Sequence, residues 1–249
     1  MIPCLLLSNG GLVKTICFSE PKYVGDPINA VRIFNEKEVD ELVILDIDSS
    51  RLKSTPKYEQ IKDIVSEAFM PLAYGGGIST VLQARSLIEI GVEKVVINTA
   101  AISDLKLVQE ITKYLGSQCV VVAIDVKKDW LGRYRVFKAS DSKLTSIDPV
   151  DHAQAAVKAG AGEIFINDVM RDGTGIGYDL DLLAKVTQEI KVPVIACGGA
   201  GSLDHFKLVD SVGVSAVAAG SMFVFVGKHR AVMINYPSYE TLQGLFQSG

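Results

Sequence analysis

The sequence predicts one (β/α)8 barrel over residues 1–249, built from two quasi-repeated half-barrels. Three observations carry this prediction. Eight short apolar runs alternate with longer segments of helical period, which is the element count of such a barrel at this length. Features of the first half recur 122 residues later, the interval from Asp46 to Asp168. Gly-rich clusters also follow strand ends in both halves.

IPCLLL (2–7) opens the chain as strand 1, and LVILDI (42–47), MPLAY (70–74) and KVVIN (94–98) complete the first half. CVVVAID (119–125), EIFIND (163–168), VPVIAC (192–197) and SAVAAG (215–220) supply the second. Their nearly unbroken Val, Ile, Leu and Ala content suits parallel strands covered on both faces. The helices between them show apolar stripes: Val108, Ile111 and Leu115 follow Asp104 as N-cap, and Leu183, Val186 and Ile190 form another. A doubly wound open sheet is the competing class. It would use fewer strands, and no GxGxxG turn follows the first strand.

The repeat favours the barrel. Glu41 falls on Glu163, Ile44 on Ile166, Asp46 on Asp168 and Pro71 on Pro193. Gly76 and Gly77 fall on Gly198 and Gly199, Gly91-Val92 on Gly213-Val214, and Val95 on Val217. Strand 1 echoes strand 5 at a slightly different offset, with Leu6 opposite Asp125. Residues 8–26 and 126–148 read as long loops leaving the C-terminal ends of strands 1 and 5, where barrels of this class build their sites. The second contains WLGRYRVF, a candidate hairpin. Its Trp130 is either a hairpin anchor or a stacking platform.

Composition narrows the function. A net charge of −4 gives no support to nucleic-acid or membrane-surface binding. No run reaches transmembrane length, and the N-terminus lacks a signal-peptide pattern. Cys4, Cys17, Cys119 and Cys197 are scattered, as expected of reduced cytosolic thiols, and no metal or cofactor is expected. Cys4, Cys119 and Cys197 lie in strand-like runs and read as small core hydrophobes.

YGGGIST, INTAA, CGGAGS and AAGSMF end strands 3, 4, 7 and 8. A missing Cβ lets backbone N–H groups approach an oxyanion, and a following helix start adds free donors. Gly76, Gly77, Asn98 and Thr99 form one candidate phosphate site. Gly198, Gly199, Gly220 and Ser221, with Gly173 of RDGTGIGYD, form a second. The alternative is that these glycines only make tight turns. Two sites at one mouth suit a substrate with a phosphate at each end.

Asp125 ends an otherwise apolar strand, where a general acid/base belongs. Its alternative role is to tie down loop 5. Asp46 and Asp168 are read as groups that orient loops or bind Lys and backbone amides, Asp172 as a group that either caps its Gly-rich loop or meets substrate, and Lys14 as a substrate or loop residue. Glu41, Lys94 and Glu163 start strands 2, 4 and 6 and can meet across the axis, as a plug or as a polar gate. His152, His205 and His229 lie away from strand ends and take no catalytic role.

IPCL, DELVILDI, GGGI, EKVVINTAA, GSQCVVVAID, RDGTGIGYD, PVIACGGAG and AAGSMF occur in this order. Together they resemble, end to end, the cyclase subunit of imidazole glycerol phosphate synthase. The resemblance implies a TIM barrel with two phosphate sites and a glutaminase subunit docked beneath it as a heterodimer. Ammonia would pass along the axis through a gate of Glu41, Lys94 and Glu163. On top it would attack a bisphosphorylated ribulosyl-aminoimidazole nucleotide, which is cleaved and cyclised. That family uses aspartates at the ends of strands 1 and 5. The second matches Asp125, and the first falls on Leu6, which cannot transfer a proton.

Asn9, Asn167-Asp168 and Met170 are further departures from the family's acidic, Thr-Ser and acidic positions. The leucine-rich first strand is similar to a subgroup found with surface-polysaccharide genes. There the resemblance implies ammonia supply for an acetamidino sugar, made by a separate ATP-dependent amidotransferase. The competing readings are a working cyclase (lyase) of histidine biosynthesis, the related sugar-isomerase barrel, and a non-enzymatic phosphate scaffold.

Overall fold

The structure is a computed structural model, and it describes residues 1–246; the last three residues of the expected domain lie outside the described residues. Eight parallel strands form the barrel wall: β1 (Ile2–Ser8), β2 (Leu42–Asp46), β3 (Leu72–Gly75), β4 (Lys94–Ile97), β5 (Val120–Lys128), β6 (Glu163–Asp168), β7 (Val194–Cys197) and β8 (Ala216–Ala219). Each pairs with the next, and β8 closes on β1 through Ile2 opposite Ala218. The longer helices are α1 (Pro27–Glu36), α2 (Tyr58–Glu67), α3 (Val81–Ile90), α4 (Lys106–Leu115), α5 (Pro149–Lys158), α6 (Leu180–Glu189), α7 (Leu203–Asp210) and α8 (Tyr239–Phe246), and short helices Ile47–Arg51, Thr99–Ser103 and Ser221–Val224 follow the ends of β2, β4 and β8.

Strand alternation separates two cores. Leu5, Leu7, Ile44, Val95, Val122 and Ile166 face the helices in the outer layer. Ile2, Cys4, Val43, Ala73, Val96, Val121, Ala123, Phe165, Ile195, Cys197 and Ala218 pack in a separate cluster that fills the barrel interior. The three leucines of β1 are therefore not equivalent. Leu5 and Leu7 anchor the helix layer, and Leu6 points the other way.

Two expectations are corrected. Residues 8–26 are not an irregular loop but an antiparallel hairpin, Gly11–Ile16 with Ser19–Gly25, which continues from β1 through the pair Leu6–Val13. Cys119 is only partly buried, in a one-turn helix (Ser117–Cys119) ahead of β5. The hairpin expected after strand 5 is present: β5 runs on to Lys128 and pairs with Tyr134–Lys138. Trp130 is exposed at its turn, so it does not anchor the hairpin.

Candidate active site at the barrel mouth

The C-terminal strand ends surround a cavity of about 650 Å³. Leu6, Lys14, Asp46, Gly76, Gly77, Asn98, Thr99, Asp125, Asp172 and Gly220 line it. Gly173, Gly198, Gly199, Ser221 and Asp168 are not part of this lining. The mouth is partly roofed by the two hairpins, with the Phe18 and Phe137 rings 6.4 Å apart. The first hairpin also leans on the loop after β6. Cys17 N donates to Asp172 O at 2.9 Å, and Thr15 Oγ1 to Asp172 Oδ2 at 3.1 Å.

Asp125 is the buried centre of the wall. Asn98 Nδ2, from the end of β4, donates to its Oδ2 at 2.8 Å. Asn167 sits opposite Asp125 in the β5–β6 register, and its amide acts on the same carboxylate. Burial, with the charge of Asp172 behind it, pushes Asp125 up to about 7, against the pull of the two carboxamides. A carboxyl that titrates near neutrality is suited to proton exchange at physiological pH. On β1, across the barrel, the cavity wall is Leu6, which offers neither donor nor acceptor.

Lys14 reaches down into the interior. Its Nζ donates to the Cys4 carbonyl beside Gly220. Burial pulls its pKa down, and the charges of Cys4 and Asp172 oppose this only in part. Burial likewise raises Asp172. Cys4 and Cys197 are buried in the interior core cluster, as expected, and also form part of the cavity floor.

Asp46 and Asp168 spend their oxygens on their own loops. Asp46 Oδ1 accepts from Asp48 N and Ser49 N at 3.0 Å each, and Oδ2 from Ser49 Oγ at 2.8 Å. Asp168 Oδ1 accepts from Met170 N at 2.9 Å, with Arg171 Nε 3.4 Å from Oδ2. The glycines behind them mirror each other. A Cβ on Gly76 would lie 2.5 Å from Asp46 O, and one on Gly198 2.6 Å from Asp168 O. These glycines are required by close packing of neighbouring βα loops, whatever else their N–H groups do.

At the opposite end of the barrel, Lys94 lies between two carboxylates. Its Nζ is 3.1 Å from both Glu41 oxygens and 2.9 Å from Glu163 Oε1. Burial alone would pull Lys94 down, but Glu163 and Glu41 together hold it above its ordinary value. Burial still raises Glu41, because one ammonium cannot fully compensate two carboxylates. Glu163 Oε2 is buried without a partner.

Two buried aspartates went unnoticed in the sequence. Asp48 accepts from Ser8 Oγ and Asn9 N at 2.8 Å and from Arg51 at 3.0 Å, so it ties the end of β1 to the loop after β2. Burial would raise Asp48, but these three donors hold it below the usual carboxylate range. Asp179 caps α6 and accepts from Tyr134 Oη at 2.8 Å, pinning the second hairpin. Cap position hinted at Asp179 alone; Asp48 lies inside the short helix Ile47–Arg51 that Asp46 caps. Among the described residues, no cluster of three or more His, Cys, Asp or Glu could hold a metal. No helix among the described residues is long and apolar enough to cross a membrane.

Comparison with known proteins decides the family. The histidine biosynthesis protein model matches residues 1–229. A Streptomyces avermitilis protein, imidazole glycerol phosphate synthase subunit HisF, is 39% identical over 225 residues, 90% of each chain. The chain belongs to the HisF family. Within it, the chain is more similar to two proteins whose names assign them to the synthase only provisionally. Subunit hisF2 of Pseudomonas aeruginosa is 54% identical over 243 residues, 97% of each chain. Subunit hisF3 of Vibrio vulnificus is 48% identical over 240 residues, covering 96% of this chain and 92% of that protein. This HisF-family chain is thus an enzyme-type barrel subunit with a non-ionisable residue at one strand end of its mouth.

Proposed function

We propose that this chain is a diverged HisF paralogue that conducts ammonia without carrying out cyclisation. It receives ammonia from a glutaminase subunit docked on the N-terminal face, in the cytoplasm, and passes it along the barrel axis. Glu41, Lys94 and Glu163 gate the entrance. The ammonia serves amidination of a surface-polysaccharide sugar by a separate enzyme. The observation that carries this reading is Leu6 in the cavity wall opposite Asp125. Loss of one of two cooperating acid/base groups costs on the order of 10²–10⁴-fold. Greater identity to hisF2 and hisF3 than to the Streptomyces HisF supports the same reading.

The cavity keeps affinity for a phosphorylated ligand. Gly76, Gly77, Asn98 and Thr99 in its wall hold one phosphate, and Gly220 in its wall, with Gly173, Gly198, Gly199 and Ser221 beyond its lining, holds the other. Lys14, Asp46, Asp168 and Asp172 shape the loops around it. Asp125, which titrates near neutrality, favours a second reading, a working cyclase that yields imidazole glycerol phosphate and AICAR.

The deciding assay supplies the bisphosphorylated cyclase substrate and saturating ammonium chloride, which bypasses any glutaminase. Substrate binding without turnover is expected. Turnover at the rate of a histidine-pathway cyclase would overthrow the paralogue reading and leave the second standing.

A further inference from the structure

Lys94 and Lys14 project into the barrel from opposite ends, and only Lys94 is paired. The carboxylates of Glu41 and Glu163 hold Lys94 between them and keep it charged. Lys14 is the more deeply buried, at 5% exposure. Among the described residues no carboxylate lies within ion-pairing distance of it. Its Nζ donates to the Cys4 carbonyl, and the titratable groups around it are the Cys4 and Cys197 thiols and Asp172. The end of β8 leaves room for it, since a Cβ on Gly220 would collide with Nζ. An ammonium buried without a counterion is costly, and the group sheds its proton instead. Burial accordingly pulls Lys14 below the usual lysine range. A neutral amine is a weak anchor for an anion and a good nucleophile. Lys14 lines the cavity together with Asp125 and Asp172, two carboxyls that burial keeps protonated to higher pH than usual.

We propose that Lys14 is a nucleophile that forms an imine with the aldehyde or ketone carbonyl of a phosphorylated open-chain sugar. The Nζ lone pair attacks the carbonyl carbon, a C–N bond forms, and one N–H proton moves to the former carbonyl oxygen. The hydroxyl of this carbinolamine leaves as water with a proton from the Asp172 carboxyl. The nitrogen lone pair closes the C=N bond, which leaves a cationic iminium beside the Asp172 carboxylate. The cation thus gains the counterion that the free amine lacks, and no oxidant or reductant is consumed. The sugar phosphate lies in the cradle of Gly76, Gly77, Asn98 and Thr99, across the mouth from the end of β8. That placement rests on the reading of this cavity as a phosphate binder, and the nucleophile does not.

Ribulose 5-phosphate is the probe, because its phosphate blocks ring closure and leaves the ketone free. The full chain is incubated with it at neutral pH and reduced with sodium borohydride, and its lysine peptides are compared by mass spectrometry. The secondary-amine adduct should form on Lys14 about tenfold or more faster than on any exposed lysine, whose amine is almost fully protonated at this pH. Its rate should rise and then fall with pH, because the step needs a neutral amine and a protonated acid. Asp172→Asn should be several-fold slower and keep only the rise. Lys14→Arg, shown to be folded by its melting curve, should have no preferred site. An unmodified Lys14, or adducts spread evenly over the exposed lysines, would overturn the nucleophile. Glycerol 3-phosphate, which has no carbonyl, and acetaldehyde, which has no phosphate, separate this inference from the phosphate reading. A rise in Tm with glycerol 3-phosphate and no Lys14 adduct from either carbonyl compound would leave the cradle and sink the nucleophile. Preferential labelling of Lys14 by acetaldehyde, with no rise in Tm from glycerol 3-phosphate, would do the reverse.

Discussion

The two half-barrels share a backbone plan and differ in what they present to the mouth. Gly76 packs on Asp46 O as Gly198 packs on Asp168 O, with nearly equal closeness. Asp46 and Asp168 each turn a carboxylate back on the loop that follows. Yet the Gly76–Gly77 side opens into the cavity, and the Gly198–Gly199 side does not. Leu6 and Asp125 occupy equivalent strand ends with opposite chemistry. Symmetry here belongs to close backbone packing, which a mutation cannot alter cheaply. Function belongs to single side chains at strand ends, which can change without disturbing the fold.

The sharpest way to break the comparison is to restore it. Leu6→Asp should raise cyclisation from ammonium salts by about 10²-fold or more, equivalent to roughly 3 kcal/mol of barrier. Substrate loss followed in single-turnover assays checks this. A folded variant that binds substrate and shows no gain would mean that Asn9 or Met170 matters as well.

Backbone symmetry predicts matched damage. Gly76→Ala and Gly198→Ala combine a positive φ with a Cβ driven into a carbonyl oxygen, so each should cost about 3 kcal/mol or more. Denaturant midpoints should fall together. A variant that loses phosphate affinity while keeping its midpoint would show instead that the glycine serves the ligand.

The bottom of the barrel should respond less. Lys94→Met leaves Glu41 and Glu163 facing each other without their cation, at a cost of about 1–3 kcal/mol because the group is only partly buried. Glu41→Gln, which keeps one pair, should cost less. Equal costs would argue against a shared ammonium.

The smallest effect concerns Asp125. Its folded pKa of about 7 lies above the unfolded value near 3.9. The folded protein therefore binds the extra proton between these limits. Stability is fully present below about pH 4 and declines as the pH rises toward 7. Asp125→Asn should remove this decline and gain on the order of 1–3 kcal/mol at pH 8. Parallel stability curves for the two proteins from pH 4 to 8 would refute the burial argument.

Strand order, the repeat and the bottom trio were legible in the sequence because each rests on periodicity or on a residue at a fixed strand position. EIFIND and LVILDI announce buried parallel strands, and Glu41, Lys94 and Glu163 begin alternate strands, so pleat geometry alone brings them to one level. The first hairpin was not legible. Gly11–Ile16 and Ser19–Gly25 have weak alternation, and the second strand is mostly exposed, so pairing with β1 decides it rather than local propensity.

What the sequence determined by itself is the barrel and the apolar Leu6 at a strand end whose counterpart in the other half is Asp125, since both follow from residue type and spacing along the chain. Only the tertiary structure decided which groups share the mouth. Asn167 looked like an incidental departure until the β5–β6 register set it beside Asp125. Asp48 and Asp172 found their partners some forty and more than one hundred and fifty residues away. Hydrogen bonds and desolvation act through space at a few ångströms, and no period in the chain encodes that distance.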